Sequence, residues 1–238
     1  MRVSVNGVSK AFGFMWAVRE VTLDLREGEC VALLGPNGAG KSTFLKLLAA
    51  LLPPTSGAIE LDGQELGTGA SPLRRSIGFL SPNNHLYENL TAEENLRFFI
   101  SIYGKRKSPG ELRDTLDAVG LLRWANDYVA SLSSGMRCRL ALAKWLLLEP
   151  RLLLIDEPYG VLDGSGVDLL ETYLKRLCQS GGIAVLATHQ VERVPLLCSR
   201  ALILRQGKLL FDEPRREPWM ALQQALEEFL PRGRRWSF

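Results

Sequence analysis

The sequence predicts an α/β fold: a parallel-sheet core with a helical block inserted between its strands. Three observations predict it. Residues 152–155 are a continuous apolar run bounded by charge, as in a strand buried on both faces of a parallel sheet. Residues 30–34 are a second short apolar run, followed by a glycine-rich turn and then apolar residues at helical spacing. Residues 82–146 carry helix-start signals but no strand pattern.

Taken in order, residues 3–8 and 21–25 read as strands on either side of an aromatic turn, and Glu27-Gly28-Glu29 leads into the strand at 30–34. A helix follows through residue 52 and stops at Pro53-Pro54-Thr55-Ser56-Gly57. Residues 58–61 form a strand turned by Asp62-Gly63, and 77–80 form the next. In the helical block, Thr91-Ala92-Glu93-Glu94 is a capping box opening a helix through 103. Pro109-Gly110-Glu111 opens another through 119, and Gly120 stops it. Between them Lys105-Arg106-Lys107 reads as a solvated basic loop. After the strand at 152–155, Gly164-Ser165-Gly166 leads into an amphipathic helix through 179. A strand at 183–187, a hairpin around Gln206-Gly207-Lys208 and a helix at 217–230 complete the order. The domain expectation is a core of 1–81 with 147–238, and a helical insertion of 82–146. The basic, aromatic tail 231–238 is expected to be disordered, with contact to anionic lipid as the alternative.

At 238 residues the chain can bury a sizeable core, and 46% hydrophobic with 23% charged residues is an ordinary globular balance. A net charge of +3 is too weak to imply nucleic-acid binding. The four cysteines, at 30, 138, 178 and 198, have no metal-like spacing and are expected to be reduced, in a cytosolic protein. No signal peptide is expected, because Met1 leads straight into an alternating strand. The most apolar stretch, 140–148, is broken by Lys144 and falls short of the roughly 20 residues that span a bilayer.

The chemistry concentrates in three places. Gly35-Pro36-Asn37-Gly38-Ala39-Gly40-Lys41-Ser42-Thr43 matches G-x-x-x-x-G-K-[ST] at every fixed position. Its glycines let successive N–H groups turn toward an anion, and the helix that follows adds its positive end. Lys41 would reach the β- and γ-phosphates, and the Ser42 hydroxyl would ligate Mg²⁺. Arg151 to Pro158 delivers Asp156 and Glu157 to the carboxyl edge of the sheet, Asp156 placed to hold Mg²⁺ and Glu157 to polarise an attacking water. Leu132-Ser133-Ser134-Gly135-Met136 opens a helix with hydroxyl and backbone donors and reads as a second phosphate-gripping surface. One chain would then carry two half-sites.

These residues together resemble the nucleotide-binding domain of ATP-binding-cassette (ABC) proteins, and the resemblance spans most of the chain; it implies an α/β fold with a P-loop NTPase (RecA-like) mixed-sheet core, an antiparallel β subdomain and an inserted α-helical subdomain. It implies that Ser133, Ser134, Gly135 and Met136 form the signature that closes on a partner's nucleotide, although Ser134 and Met136 depart from the usual Leu-Ser-Gly-Gly-Gln. It implies that His189 contacts the γ-phosphate, that Asp163 lies in the loop crossing the dimer interface, and that Phe12 stacks on adenine. The family's glutamine is replaced by Pro82, which has neither N–H nor polar side chain; Asn83 or a water would take its place.

The resemblance also implies ATP and Mg²⁺ as ligands, a head-to-tail dimer with a second cassette, and integral membrane permease subunits as partners. No nucleic-acid partner is expected, and the chain is expected peripherally at the cytoplasmic face of the membrane. Candidate docking contacts are 83–89 and the segment around Glu93 and Asn95. Segments 78–96 and 133–137 are similar to exporter-type ATPases. Thr188-His189-Gln190 after Gly181-Gly182 is similar to the ATPase of the haem exporter of cytochrome c maturation. A drug, lipid or ion exporter is the close alternative, and a soluble ABC ATPase acting on ribosomes or DNA the second.

Overall fold

A computed structural model describes residues 1–67, 72–81, 85–216 and 219–229. Its strands are β1 (Arg2–Phe12), β2 (Met15–Arg26), β3 (Cys30–Leu34), β4 (Ser56–Leu61), β5 (Gln64–Glu65), β6 (Ile77–Leu80), β7 (Leu152–Asp156), β8 (Ile183–Ala187), β9 (Arg200–Arg205) and β10 (Lys208–Pro214). Its α-helices are α1 (Lys41–Leu48), α2 (Ala92–Ile102), α3 (Pro109–Ala118), α4 (Ser134–Leu148), α5 (Gly164–Gln179), α6 (Val194–Leu197) and α7 (Met220–Phe229).

Every residue of β3, β7 and β8 is buried, which explains their unbroken apolar sequences. They lie in a six-stranded sheet of order β10-β9-β3-β8-β7-β6, in which β7, β8, β3 and β9 pair in parallel and β10 returns antiparallel to β9. A second, antiparallel sheet has the order β2-β1-β4-β5. Its first two strands are longer than the expected 3–8 and 21–25, and only Gly13 and Phe14 turn between them. The register slips between Val5 and Val8, Val8 and Lys10, and Lys10 and Ala11. Each slip moves the following residues to the other face, so the alternation that marks a strand in sequence is lost there. Valines 3, 5, 8 and 21 with Leu23 and Leu25 still reach the core that α1 and the large sheet share.

The chain divides into two units: Met1–Phe79 with Arg151–Glu157 and Leu174–Phe238, and Leu80–Pro150 with Pro158–Tyr173. The sequence reading placed 158–173 with the core. In the structure they are tied to α4, where Arg139 pairs with Asp163 and the Tyr173 hydroxyl donates to Trp145 O.

In the second unit, Thr91 and Ser108 cap α2 and α3, each in a reciprocal box with Glu94 or Glu111. Backbone and hydroxyl donors hold both carboxyls below their ordinary range. Asn95, expected as a docking contact, is instead fully buried. Its amide donates to the carbonyls of Tyr87, Leu90 and Thr91, and its oxygen accepts from Tyr87 N, which fixes the 87–91 turn. The basic loop is only partly solvated. Lys105 donates to Leu148 O and pairs with Glu149, and Lys107 pairs with Glu111 and Glu149, placing cations on the carbonyl end of α4. Among the described residues no helix is long and apolar enough to cross a membrane.

Candidate active site

The site is assembled by sheet order. β3, β8 and β7 are neighbours, and the pairings Leu33↔Ala187 and Ala187↔Asp156 bring the carboxyl ends of the three strands into one row. Three segments distant in sequence, the glycine-rich loop more than a hundred residues before the other two, therefore leave the carboxyl edge side by side: that loop, Glu157, and Thr188-His189.

The loop is shaped by close backbone approaches. Gly35 has φ 147°, and a Cβ there would lie 2.2 Å from Leu204 O; at Gly40, φ 105°, a Cβ would lie 2.2 Å from Ala17 O. Only glycine lets the loop pass between β9 and β2. Ala39 N donates to Pro36 O, Gly207 N donates to Ala39 O, and α1 starts at Lys41. The result is a cavity of about 390 Å³ lined by Ala17, by every loop residue from Asn37 to Thr43, and by Glu157.

The charged groups meet at its edge. Lys41 is 6% exposed, and its ammonium donates to Gly35 O at 2.8 Å and Pro36 O at 3.4 Å. It stands 3.7 Å from Glu157 Oε1. The other carboxylate oxygen, Oε2, is 2.7 Å from His189 Nδ1 and accepts from His189 N at 3.3 Å. Glu157 has a left-handed backbone, φ 47°, and its N–H donates to Ala187 O, so β8 sets the direction in which this carboxylate leaves β7. Asp156 is buried, and its Oδ1 has no hydrogen-bond partner. An orphaned carboxylate oxygen in a strand-end position is a fitting ligand for a divalent cation.

In the second unit, Ser133 is the N-cap of α4 and its Oγ accepts from Met136 N at 3.3 Å. That use spends a lone pair and leaves the hydroxyl proton to donate. Ser134 is exposed, Gly135 and Met136 half-buried. Asp163 is turned into its own chain: Arg139 donates to Oδ1, and so does Gly166 N at 2.9 Å. These donors hold its carboxyl below the usual range. Phe12 ends β1, is 51% exposed, and stands outside the lining of the cavity, with the Lys10 ammonium 5.4 Å from its ring centroid. Pro82, Asn83 and the tail 231–238 lie outside the described residues.

Two positions beside these groups escaped the sequence reading. Ala17 lines the cavity through its place on β2 opposite the loop, and a lone alanine in a strand carries no signal of that. Arg139 is one of three cations in α4, with Arg137 and Lys144, and nothing local sets it apart from them.

Residues 18–160 match the family model described as ABC transporter. The chain is 34% identical over 206 residues to the uncharacterized ABC transporter ATP-binding protein YdbJ of Bacillus subtilis, covering 86% of this chain and 67% of that one. It is 36% identical over 226 residues to the sulfate/thiosulfate import ATP-binding protein CysA of Bordetella bronchiseptica, covering 92% of this chain and 64% of that one. The chain thus spans about two thirds of the length of these relatives. Among solved structures it is similar to a dimeric ATP-binding cassette in a post-hydrolysis state with ADP and Pi, with a TM-score of 0.80, 31% identity, and 90% and 99% of the two chains covered. The shared architecture is that of the P-loop NTPases.

Proposed function

The chain belongs to the ABC transporter family, and on that premise we propose that it binds and hydrolyses ATP as the nucleotide-binding subunit of a membrane transporter. The observation that carries this reading is Glu157, held between Lys41 and His189 at the mouth of the glycine-loop cavity.

The triphosphate enters the cavity against the loop N–H groups and the start of α1. Lys41 exchanges the carbonyls of Gly35 and Pro36 for phosphate oxygens, an exchange of one set of acceptors for a more highly charged one. Ser42 and Asp156 are the residues that would hold Mg²⁺, which when bound would neutralise phosphate charge. Glu157 accepts a proton-side hydrogen bond from the attacking water and aligns it, while His189 faces the γ-phosphate. Phe12 offers a face to adenine at the end of β1. A second cassette, head to tail, closes the site with Ser133, Ser134, Gly135 and Met136. The similarity to a dimeric cassette supports this arrangement. Purified protein should bind ATP and dimerise in its presence, and Lys41→Ala should do neither. Unchanged ATP binding by Lys41→Ala would remove the basis of the reading.

Direction and cargo rest on less. The segments Ser133–Arg137 and Gly181–Gln190 favour an exporter, and more narrowly haem export, whereas the relative with a named cargo is an importer. The proposal is therefore a transport ATPase acting peripherally at the cytoplasmic face of the membrane, whose permease partner selects the cargo. A pull-down from membranes decides among the narrower readings. A multi-span permease with bound haem supports haem export, and an importer permease replaces it. Ribosomes or DNA without a membrane protein would point to a soluble ABC ATPase.

A further inference from the structure

We propose that Arg139 is a positioning residue: it clamps the 161–166 segment to helix α4, so that the signature and the neighbouring interface loop are presented to a partner cassette as one rigid piece. Its guanidinium serves three elements of the second unit at once. Nη1 donates to Val119 O at 3.2 Å, just after α3. Nη2 donates to the Asp163 carboxylate and to Ser165 Oγ, the latter at 2.6 Å. Asp163 Oδ1 in turn accepts from Gly166 N at 2.9 Å in the first turn of α5. A fork with several donors in a fixed plane can do this; a single ammonium cannot span the same set.

Glycine spacing shows how tightly the clamp is built. A Cβ on Gly120 would lie 3.2 Å from Arg139 Nη1. One on Gly166 would lie 3.0 Å from Asp163 Oδ1 and 3.3 Å from Arg139 Nε. One on Gly135, inside the signature, would lie 3.0 Å from Val161 O. Signature and loop are thus in direct contact at one end and bridged by Arg139 at the other. Within the chain the bridge uses Asp163 Oδ1, and the Asp163 side chain is still exposed.

The inference rests on the reading that both segments face a second cassette's nucleotide, and its test separates the two. Hydrogen–deuterium exchange of the 161–167 peptide measures the clamp directly, whether or not the protein hydrolyses ATP. In Arg139→Met and in Asp163→Asn that peptide should exchange at least about tenfold faster, with the 35–43 peptide unchanged. ATP turnover measures the consequence: kcat should fall about tenfold or more in Arg139→Met with KM for ATP within about twofold, and Arg139→Lys should recover part of it. Asp163→Asn keeps the α5 cap and guards against a folding failure of Arg139→Met. Unchanged exchange in a folded variant, or parental kcat in Arg139→Met, would overturn the clamp. Absence of turnover in the parent would instead overturn the proposed function and leave the exchange result to decide the clamp.

Discussion

Lys144 offers a quantitative check on the helical unit. It is 3% exposed, with its ammonium 4.4 Å from the Phe99 ring centroid and 4.7 Å from that of Trp145. Burial pushes its pKa down from 10.5 to about 8. At about 1.36 kcal/mol for each tenfold change in proton affinity, that fall is about 3 kcal/mol. Below pH 8 the lysine is charged in both folded and unfolded chains, and the folded state carries the whole cost. Between pH 8 and 10.5 the unfolded chain holds the proton more tightly, so stability rises with pH, and above 10.5 the cost is gone. Lys144→Met keeps the length of the side chain and removes the titration. Other buried groups also shift: burial pushes Cys138 up to about 11 and raises Tyr173. These contributions are common to both proteins and cancel in the difference. Urea unfolding followed by tryptophan fluorescence should show the stability of Lys144→Met relative to the parent declining by about 3 kcal/mol from pH 7 to pH 10.5. The packing effect of the thioether is the same at every pH and does not enter this decline. A relative stability that moves by less than about 0.5 kcal/mol over the range would refute the burial argument.

Three further outcomes follow from single contacts. His189→Ala removes the 2.7 Å partner of Glu157 and should lower kcat about 10- to 100-fold with little change in KM for ATP, measured by phosphate release. Gly35→Ala drives a Cβ against Leu204 O and should cost more than about 3 kcal/mol of stability together with nucleotide binding; a melting temperature equal to the parent's would contradict the crowding argument. Asn95→Leu leaves the 87–91 turn without its buried amide and should destabilise by about 3 kcal/mol, with faster proteolysis of that turn.

The glycine-rich loop after β3 and the acidic pair at the end of β7 were legible because each is a contiguous run in a fixed local frame. The meeting of Lys41, Glu157 and His189 was not, since it arises from the parallel order β3-β8-β7, which no local spacing encodes. The ends of β1 and β2 were lost to register slips, and the Ser108 capping box was passed over in favour of Pro109. Asn95 and Lys107 looked like surface groups because their partners, Tyr87 O and the 149 carboxylate, are brought to them by tertiary folding. Asp163 was read as an interface residue from family resemblance, and its pairing with Arg139, 24 positions away, needed the packing of α5 against α4.

The central claim is that Glu157 orients the water that cleaves ATP. The most direct measurement is the single-turnover rate of Glu157→Gln with ATP and Mg²⁺. Glutamine keeps the size of the side chain but lacks the negative charge that polarises water. The rate should fall at least about 100-fold while ATP binding persists, and the protein should accumulate as an ATP-loaded dimer. Turnover near the parental rate would contradict the account.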